Sequence, residues 1–428
     1  MSGARIHKNK TYPHNPQTYP QYFFCFAHEK CTNYSRAFSN HFTFPHYYKY
    51  LLLLSLSIIR YNATMKCTVL QENLYKAISA ISHFAPAKAH IPILSNILLQ
   101  SQEGKLLCYA TDLQAGLQVE VGGKIESDFS ITVPAKIFTE FISSIGSGKI
   151  ILEIQDQSLI IQGEGTKTVI QGVSAKEFPS FPKEKKKICT IAKKIFLPAV
   201  QFGGASSGMD ETRPIFSSLL FRISQGELIA VSTDGYRLSE KRIALSYEGE
   251  LADLLIPARL VKEVVRLLDK NLEGNVELAL SEDNVLLFSF DEWKSFVRKN
   301  EGEYPPYQNI IPDHFVSFVE CDADVLQKNL KTAMVFGKEG SGIVKLHLSE
   351  NKLRMKTSTT TGEHVSDIDV GFSGEDVEIA LNGKYLAEFL QLAQGKQCRI
   401  SILEPLKPAK LEIVDDASFL YVIMPFKV

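Results

Sequence analysis

The chain lacks the short patterns that mark common catalytic centres. It has no Walker A loop, no GxGxxG, no HExxH and no GxSxG, so nothing in it argues for an enzyme. Its seven cysteines, Cys25, Cys31, Cys67, Cys108, Cys189, Cys321 and Cys398, include no CxxC pair. That argues against a zinc site or a dithiol redox motif. Cys67 and Cys189 stand at equivalent places in strand-like runs and read as buried free thiols of a reducing cytosol. His83, His90, His314, His347 and His364 lie apart with no recurring Asp or Cys partner, and read as surface or satisfied side chains. The apolar run Leu51–Ile59, LLLLSLSII, is too short to span a bilayer.

Acid is scarce at one end. Residues 1–64 hold seven Lys or Arg against a single acid, Glu29, and so carry +6. They also hold 14 of the 43 aromatic residues and five of the ten histidines, with no sustained helix or strand period. They read as a disordered extension or a non-native start ahead of Met65, with a membrane anchor as the lesser alternative. His46 and its neighbours read as unstructured rather than metal-ligating. The remainder is mildly acidic, 40 bases against 47 acids. Such a body does not bind nucleic acid over its whole surface, although one basic face still could.

What is present is a threefold repeat. KLLCYATD around Leu106, closed by Thr111-Asp112, returns as ELIAVSTD around Leu228, closed by Thr233-Asp234, and as KLRMKTST around Leu353. The block from Val133 to Phe141, VPAKIFTEF, returns from Ile256 and again from Leu381 at the same step. A period of one domain length means three similar domains rather than a solenoid. Composition shifts set them at 65–187, 188–312 and 313–428, joined by FPSFPKEKKK at Phe178 and YPPYQNIIP at Tyr304. Both joints read as extended, semi-rigid linkers.

Within the first repeat, Lys66–Leu70 reads as a strand. Leu74, Ala77, Ile78 and Ile81 give a helix. Strands follow at Ile93–Leu99, Lys105–Ala110, Gln118–Val121 and Phe129–Val133. Pro134 suits the first position of a second helix that Gly146 ends, and three further strands close the repeat. Few strands are separated by helices, so pairing is mostly antiparallel: an α+β domain with helices on one sheet face. The recurring Asp112 and Asp234 read as turn formers. Ten cations fall on or beside predicted helices: Lys76, Lys136, Lys193, Lys194, Arg259, Lys262, Arg266, Lys328, Lys331 and Lys384. They are either solvated faces or, if all helices share one surface, a positive track for phosphates.

MKCTVLQENLYKAI at Met65, IPILSNILLQ at Ile91, TVPAK at Thr132, STDGYRL at Ser232, EYPPYQNIIP at Glu303 and the terminal YVIMPFKV resemble the bacterial DNA polymerase III beta subunit family, the sliding clamps. The resemblance runs in order through residues 65–428. It implies three similar clamp domains per subunit, closing as a head-to-tail dimeric ring with helices inside and sheets outside. It implies a cytoplasmic protein with no catalysis and no cofactor, which encircles double-stranded DNA and tethers the polymerase. The implied partners are the polymerase catalytic subunit, an ATP-dependent clamp loader and other replication and repair proteins that carry linear motifs.

The resemblance also implies a hydrophobic pocket for those motifs, mapping to Phe216, Thr233, Gly235, Tyr236, Arg237, Leu238, Pro305, Ile310, Pro408, Met424, Pro425 and Phe426. Lys88, Lys136 and Arg259 are the implied DNA contacts. Tyr236 replaces a familiar His and Asn309 a familiar Arg, and the tail ends in Lys427-Val428 rather than Arg-Leu. The TDGYRL turn and the MPFKV tail are expected to have no equivalents in the other repeats. A three-domain enzyme and a monomeric peptide-binding adaptor are the competing readings.

Overall fold

The computed structural model describes residues 65–246, 252–268, 272–283, 285–337 and 342–427. The readings of residues 1–64, including Cys25, Cys31, His46 and Leu51–Ile59, lie outside them. The described residues form four antiparallel sheets and six α-helices. The helices are α1 (Gln71–Ile81), α2 (Ala135–Ser144), α3 (Lys193–Gly203), α4 (Ala258–Arg266), α5 (Ala323–Gly337) and α6 (Gly383–Leu392). They pack in pairs, α1 with α2, α3 with α4 and α5 with α6.

Two sheets have nine strands each, and each crosses from one repeat to the next. Ala115–Val121 pairs with Trp293–Arg298, so that Val119 faces Trp293 and Ala115 faces Val297. Arg237–Leu245 pairs with Asp416–Ile423, so that Arg237 faces Ile423 and Lys241 faces Phe419. Strand alternation divides these sheets by face. Ile97, Leu99, Leu106 and Cys108 enter the core shared with the helices. Leu98 and Tyr109, one step out of phase, join a smaller cluster on the opposite face with Phe178 and Phe296. The second junction repeats this division, with Leu219 and Phe221 on the helix side. Leu220, Val231 and Leu238 lie on the other face with Tyr307.

Several local expectations shift. The run from Ile93 does not start as a strand. Pro92–Ser95 is a 3-10 turn and the strand is Asn96–Gln102. Pro92 fixes the backbone there, and Ser95 Oγ donates to the Pro86 carbonyl (2.8 Å). Pro134 is the last residue of a strand, opposite Asn96, and α2 begins at Ala135. That helix stops at Ser144 because Ile145 is already extended, one residue before Gly146. The two linkers are not spacers. Phe178 and Tyr307 are buried against the outer sheet faces, and Glu184–Ala192 is a full edge strand. We call residues 178–183 and 304–311 straps. The lysines at the start of that edge strand also suit an edge that must not recruit other chains.

Candidate functional site

The Thr-Asp turn that closes the repeated strand is built from its own side chains. Asp234 Oδ1 accepts from the backbone N–H of Tyr236 (2.9 Å) and of Arg237 (3.1 Å). Thr233 Oγ1 donates to the Arg237 carbonyl (2.6 Å) and accepts from Gly235 N–H (3.1 Å). Gly235 takes φ +91°, where a side chain is strained, and a Cβ there would lie 3.8 Å from the Phe216 ring. The turn thus seats itself and leaves Tyr236 outward, 59 % exposed.

The chain terminus docks on this turn. Met424 N–H donates to the Tyr236 carbonyl (2.9 Å) and Phe426 N–H to the Ala380 carbonyl (2.8 Å). Pro408 stands opposite Met424, one step beyond the last paired residues, Ala409 and Ile423. Leu238, fully buried, forms a floor with Val422 and Tyr307, on which the 304–311 strap packs Tyr304 and Ile311 and leaves Ile310 exposed. Tyr236, Ile310 and Phe426 stay substantially exposed, an apolar surface over an apolar floor. Such exposure marks a binding surface more often than chance packing does.

Arg237 is the one charged residue of the twelve. It is 9 % exposed and turns inward, donating through Nε to Asp234 Oδ2 (3.0 Å) and through Nη1 to Glu388 and to Tyr421 Oη (3.2 Å). Its guanidinium lies 4.4 Å from the Tyr385 ring centre. Burial works against its charge, but Tyr421 and Glu388 outweigh it and hold its pKa above the ordinary value. Arg237 therefore braces the turn against α6. Sequence reasoning missed Arg213, whose guanidinium stacks 4.2 Å over Phe216; Met209 on the same loop is exposed and lines a separate hollow beside Arg259 and Lys262. No pattern signals Arg213; only the folding of the 204–217 loop brings it onto Phe216.

The TDGYRL turn and the MPFKV tail do have geometric equivalents. At the first junction Asp112 Oδ1 accepts from Gln114 (2.9 Å) and Ala115 (2.8 Å), and Thr111 Oγ1 donates to the Ala115 carbonyl (2.7 Å). Arg298 N–H donates to the Gln114 carbonyl (2.7 Å) and Asn300 N–H to the Leu255 carbonyl (2.8 Å). Only the side chains differ. The expectation failed because the turn needs only the shared Thr-Asp pair, and the docking bonds that follow run through backbone atoms.

The helix cations separate into two groups. Lys193 is buried and donates to Asp291 (2.5 Å), holding α3 to a neighbouring turn. Lys262 is half-buried and donates to Ser207 Oγ (3.0 Å). Burial, and then the nearby Arg237, lower its pKa. The other eight are exposed, Lys136 on α2 and Arg259 on α4 among them. Arg259 Nε donates to Glu211 (3.0 Å). Lys88 is exposed in the loop after α1. Among the described residues no group of His, Cys, Asp and Glu could hold a metal ion, and no helix is long and apolar enough to cross a membrane.

Comparison with known proteins places these features. Three family models match in chain order: the DNA polymerase III beta subunit N-terminal domain at residues 65–182, its central domain at 190–306 and its C-terminal domain at 308–427. The chain is 26 % identical over 379 residues to the beta sliding clamp of Haemophilus influenzae, and 24 % identical over 371 residues to that of Escherichia coli. Each covers 85 % of this chain and 100 % of the relative. The DNA polymerase III beta subunit of Thermotoga maritima superposes with a TM-score of 0.79 at 25 % identity, over 85 % of this chain and all of that one. The griselimycin-bound sliding clamp of Pseudomonas aeruginosa superposes with a TM-score of 0.81 at 21 % identity, over 86 % of this chain and all of that one.

Proposed function

We infer the function of this chain from one premise: it belongs to the DNA polymerase III beta subunit family. It is a DNA sliding clamp, a processivity factor without catalysis of its own. It encircles duplex DNA and tethers the replicative polymerase.

The observation that carries the ring is a pair of open sheet edges. Each internal junction joins the strand after the Thr-Asp turn of one repeat to the last strand of the next. In the third repeat the strand in that place, Glu363–Asp369, is a sheet edge. In the first repeat the last strand, Thr166–Gln171, is also a sheet edge. Val365 and Val169 on these edges are each about half exposed. A second copy, placed head to tail, completes both junctions at once, and a heterologous contact that closes in this way makes a ring. An exposed strand edge left open would instead invite aggregation.

Lys88, Lys136 and Arg259 are the proposed DNA contacts. They would neutralise phosphates without reading bases, so the protein holds DNA by topology and slides. The Tyr236, Ile310 and Phe426 surface, with the other nine residues of the patch, is the proposed seat for linear motifs of the polymerase, the ATP-driven loader and repair proteins. A cytoplasmic location follows from that role. The test uses DNA topology. Protein loaded on nicked circular DNA should survive high salt and leave when the circle is cut; equal release from both forms would overturn the reading. Light scattering should find twice the chain mass at micromolar concentration.

A further inference from the structure

Both internal junctions dock a last strand on a Thr-Asp turn, but they reach it in different registers relative to the hairpin that carries that strand. Val297 and Tyr421 hold matching places in their hairpins, opposite Leu286 and Leu411. Gly116 and Leu238 also match, opposite Thr111 and Thr233. Yet Val297 faces Ala115, just before Gly116, while Tyr421 faces Ser239, just after Leu238. The second pairing is slid by two residues, and its hairpin carries the irregularity at Glu412 and Ile413 that accompanies the slide. The open edges Thr166–Gln171 and Glu363–Asp369 thus have two templates. Gly163 pairs with Thr166 as Phe290 pairs with Trp293, and Ser358 faces Glu363 as Thr111 faces Gly116. Carried over, the first register sets Thr168 opposite His364 and Thr166 opposite Ser366. The slid register sets Ile170 opposite His364, and Lys167 opposite Asp367 on the outer face.

We propose that the joint between subunits closes in the register of the first junction, with Thr168 and Thr166 of the second copy supplying the hydroxyls that His364 and Ser366 lack. His364 Nε2 and Ser366 Oγ are buried and have no hydrogen-bond partner among the described residues. Both share the face of Ile368, in the core of the third repeat, and the His364 ring stacks on Phe336 of α5 (6.2 Å between centres). Thr166 and Thr168 share the face of Ile170, in the core of the first repeat. A threonine hydroxyl donates or accepts, so it serves either tautomer of the imidazole. The slid register shuts His364 against an aliphatic chain, and the exposed Lys167–Asp367 pair it makes contributes less than a buried unpaired nitrogen costs. In the first register Lys167 still lies between Glu363 and Asp367, which already pair with Lys356 and Arg354.

The inference rests on the ring reading, and the oligomeric state keeps their failures apart. The parent chain should sediment as a dimer at micromolar concentration; a monomer would sink the ring and this joint with it. In that dimer, Val169→Cys combined with Glu363→Cys places the two thiols directly opposite, and should give a covalent dimer with diamide on a non-reducing gel. Val169→Cys combined with Val365→Cys leaves them on the diagonal, with Cα atoms about 7–8 Å apart, and should not. Single variants set the background from the native cysteines. A covalent dimer from the Val365 pair, or from neither pair, would overturn the register while leaving the ring standing. Thr168→Val and His364→Leu should each weaken the dimer at least fivefold on dilution, and the double variant little more than either. Losses that simply multiply would show that the two side chains do not meet.

Discussion

The two internal junctions share a backbone and differ in what fills it. Both close a Thr-Asp turn with the same side-chain bonds, and both dock the following strand end through two matching N–H donors. Opposite residues fill the space beneath in opposite ways. At the first junction Gly116 faces Phe296; at the second Leu238 faces Val422. One side has nothing and the other a ring, or both sides have an aliphatic chain. A repeat therefore constrains the sum of two side chains across a strand pair, while each sequence position alone is free to drift.

The sharpest way to break this comparison is to mix the two solutions. A Cβ at Gly116 would run into the Phe296 ring, so Gly116→Leu should cost about 3 kcal/mol or more by overpacking. Phe296→Val should cost about 2 kcal/mol through the space it leaves. The double change copies the second junction, and should recover most of the loss in a denaturant-unfolding cycle. Simple additivity of the two losses would mean that the junctions are not interchangeable.

The second break removes a brace that the first junction never had. Arg237 has Ala115 as its counterpart, and ties the second junction to α6 through Glu388. Arg237→Ala should cost about 2–3 kcal/mol. That is less than the loss of a partner from a wholly buried pair, because the Glu388 side chain is one third exposed. Unfolding monitored by circular dichroism checks it, and Arg237→Lys should recover little because a lysine cannot reach Asp234, Glu388 and Tyr421 together.

Comparing the junctions also explains what could be read in advance. The threefold repeat, the antiparallel pairing and the turn role of Asp112 and Asp234 were legible, because strand period and Asx turns are local. The packed straps were not. Phe178 and Tyr307 look like linker aromatics until a sheet face is present to receive them. Lys193 reads as a helix cation, and only Asp291, 98 residues away, makes it a buried tie. At the candidate site the twelve residues came from a resemblance, while Arg213 had no signal because its position depends on a long loop.

A smaller effect separates the junctions by pH. Lys241 donates to Asp416 Oδ2 (2.6 Å) across the second junction and is itself 8 % exposed. Burial alone would raise the Asp416 pKa, but hydrogen bonds from Lys241 and Ser418 outweigh it and hold the pKa below its ordinary value. A depressed carboxylate stabilises the fold above its unfolded pKa, about 4, and that stability is lost as pH falls through the folded value. Asp416→Asn should therefore lose about 1.5 kcal/mol at neutral pH, and the gap to the parent should begin to narrow only below about pH 4 and close as pH falls through the lowered folded value. A gap that does not narrow with acid would assign the effect to packing.

The smallest expected effect lies at the first junction, where Val119 stands in the place of Lys241 and the ion pair beside it comes from α1 and lies outside. Lys76 donates to Glu292 (3.1 Å) and lies 5.8 Å from the Trp293 ring centre, with both charged side chains well exposed. Solvent and salt screen such a pair, so Lys76→Ala should change stability by less than about 0.5 kcal/mol. The same truncation removes an exposed cation from α1, so low-salt affinity for linear duplex DNA should fall with it even though neither the fold nor retention on a closed circle does. Measured together at low and at high salt, the two readouts separate what Lys76 does for the junction from what it does for the surface. A stability loss as large as that of Asp416→Asn would mean that the first junction is held by its exterior charge, and that the two junctions differ less than their burial indicates.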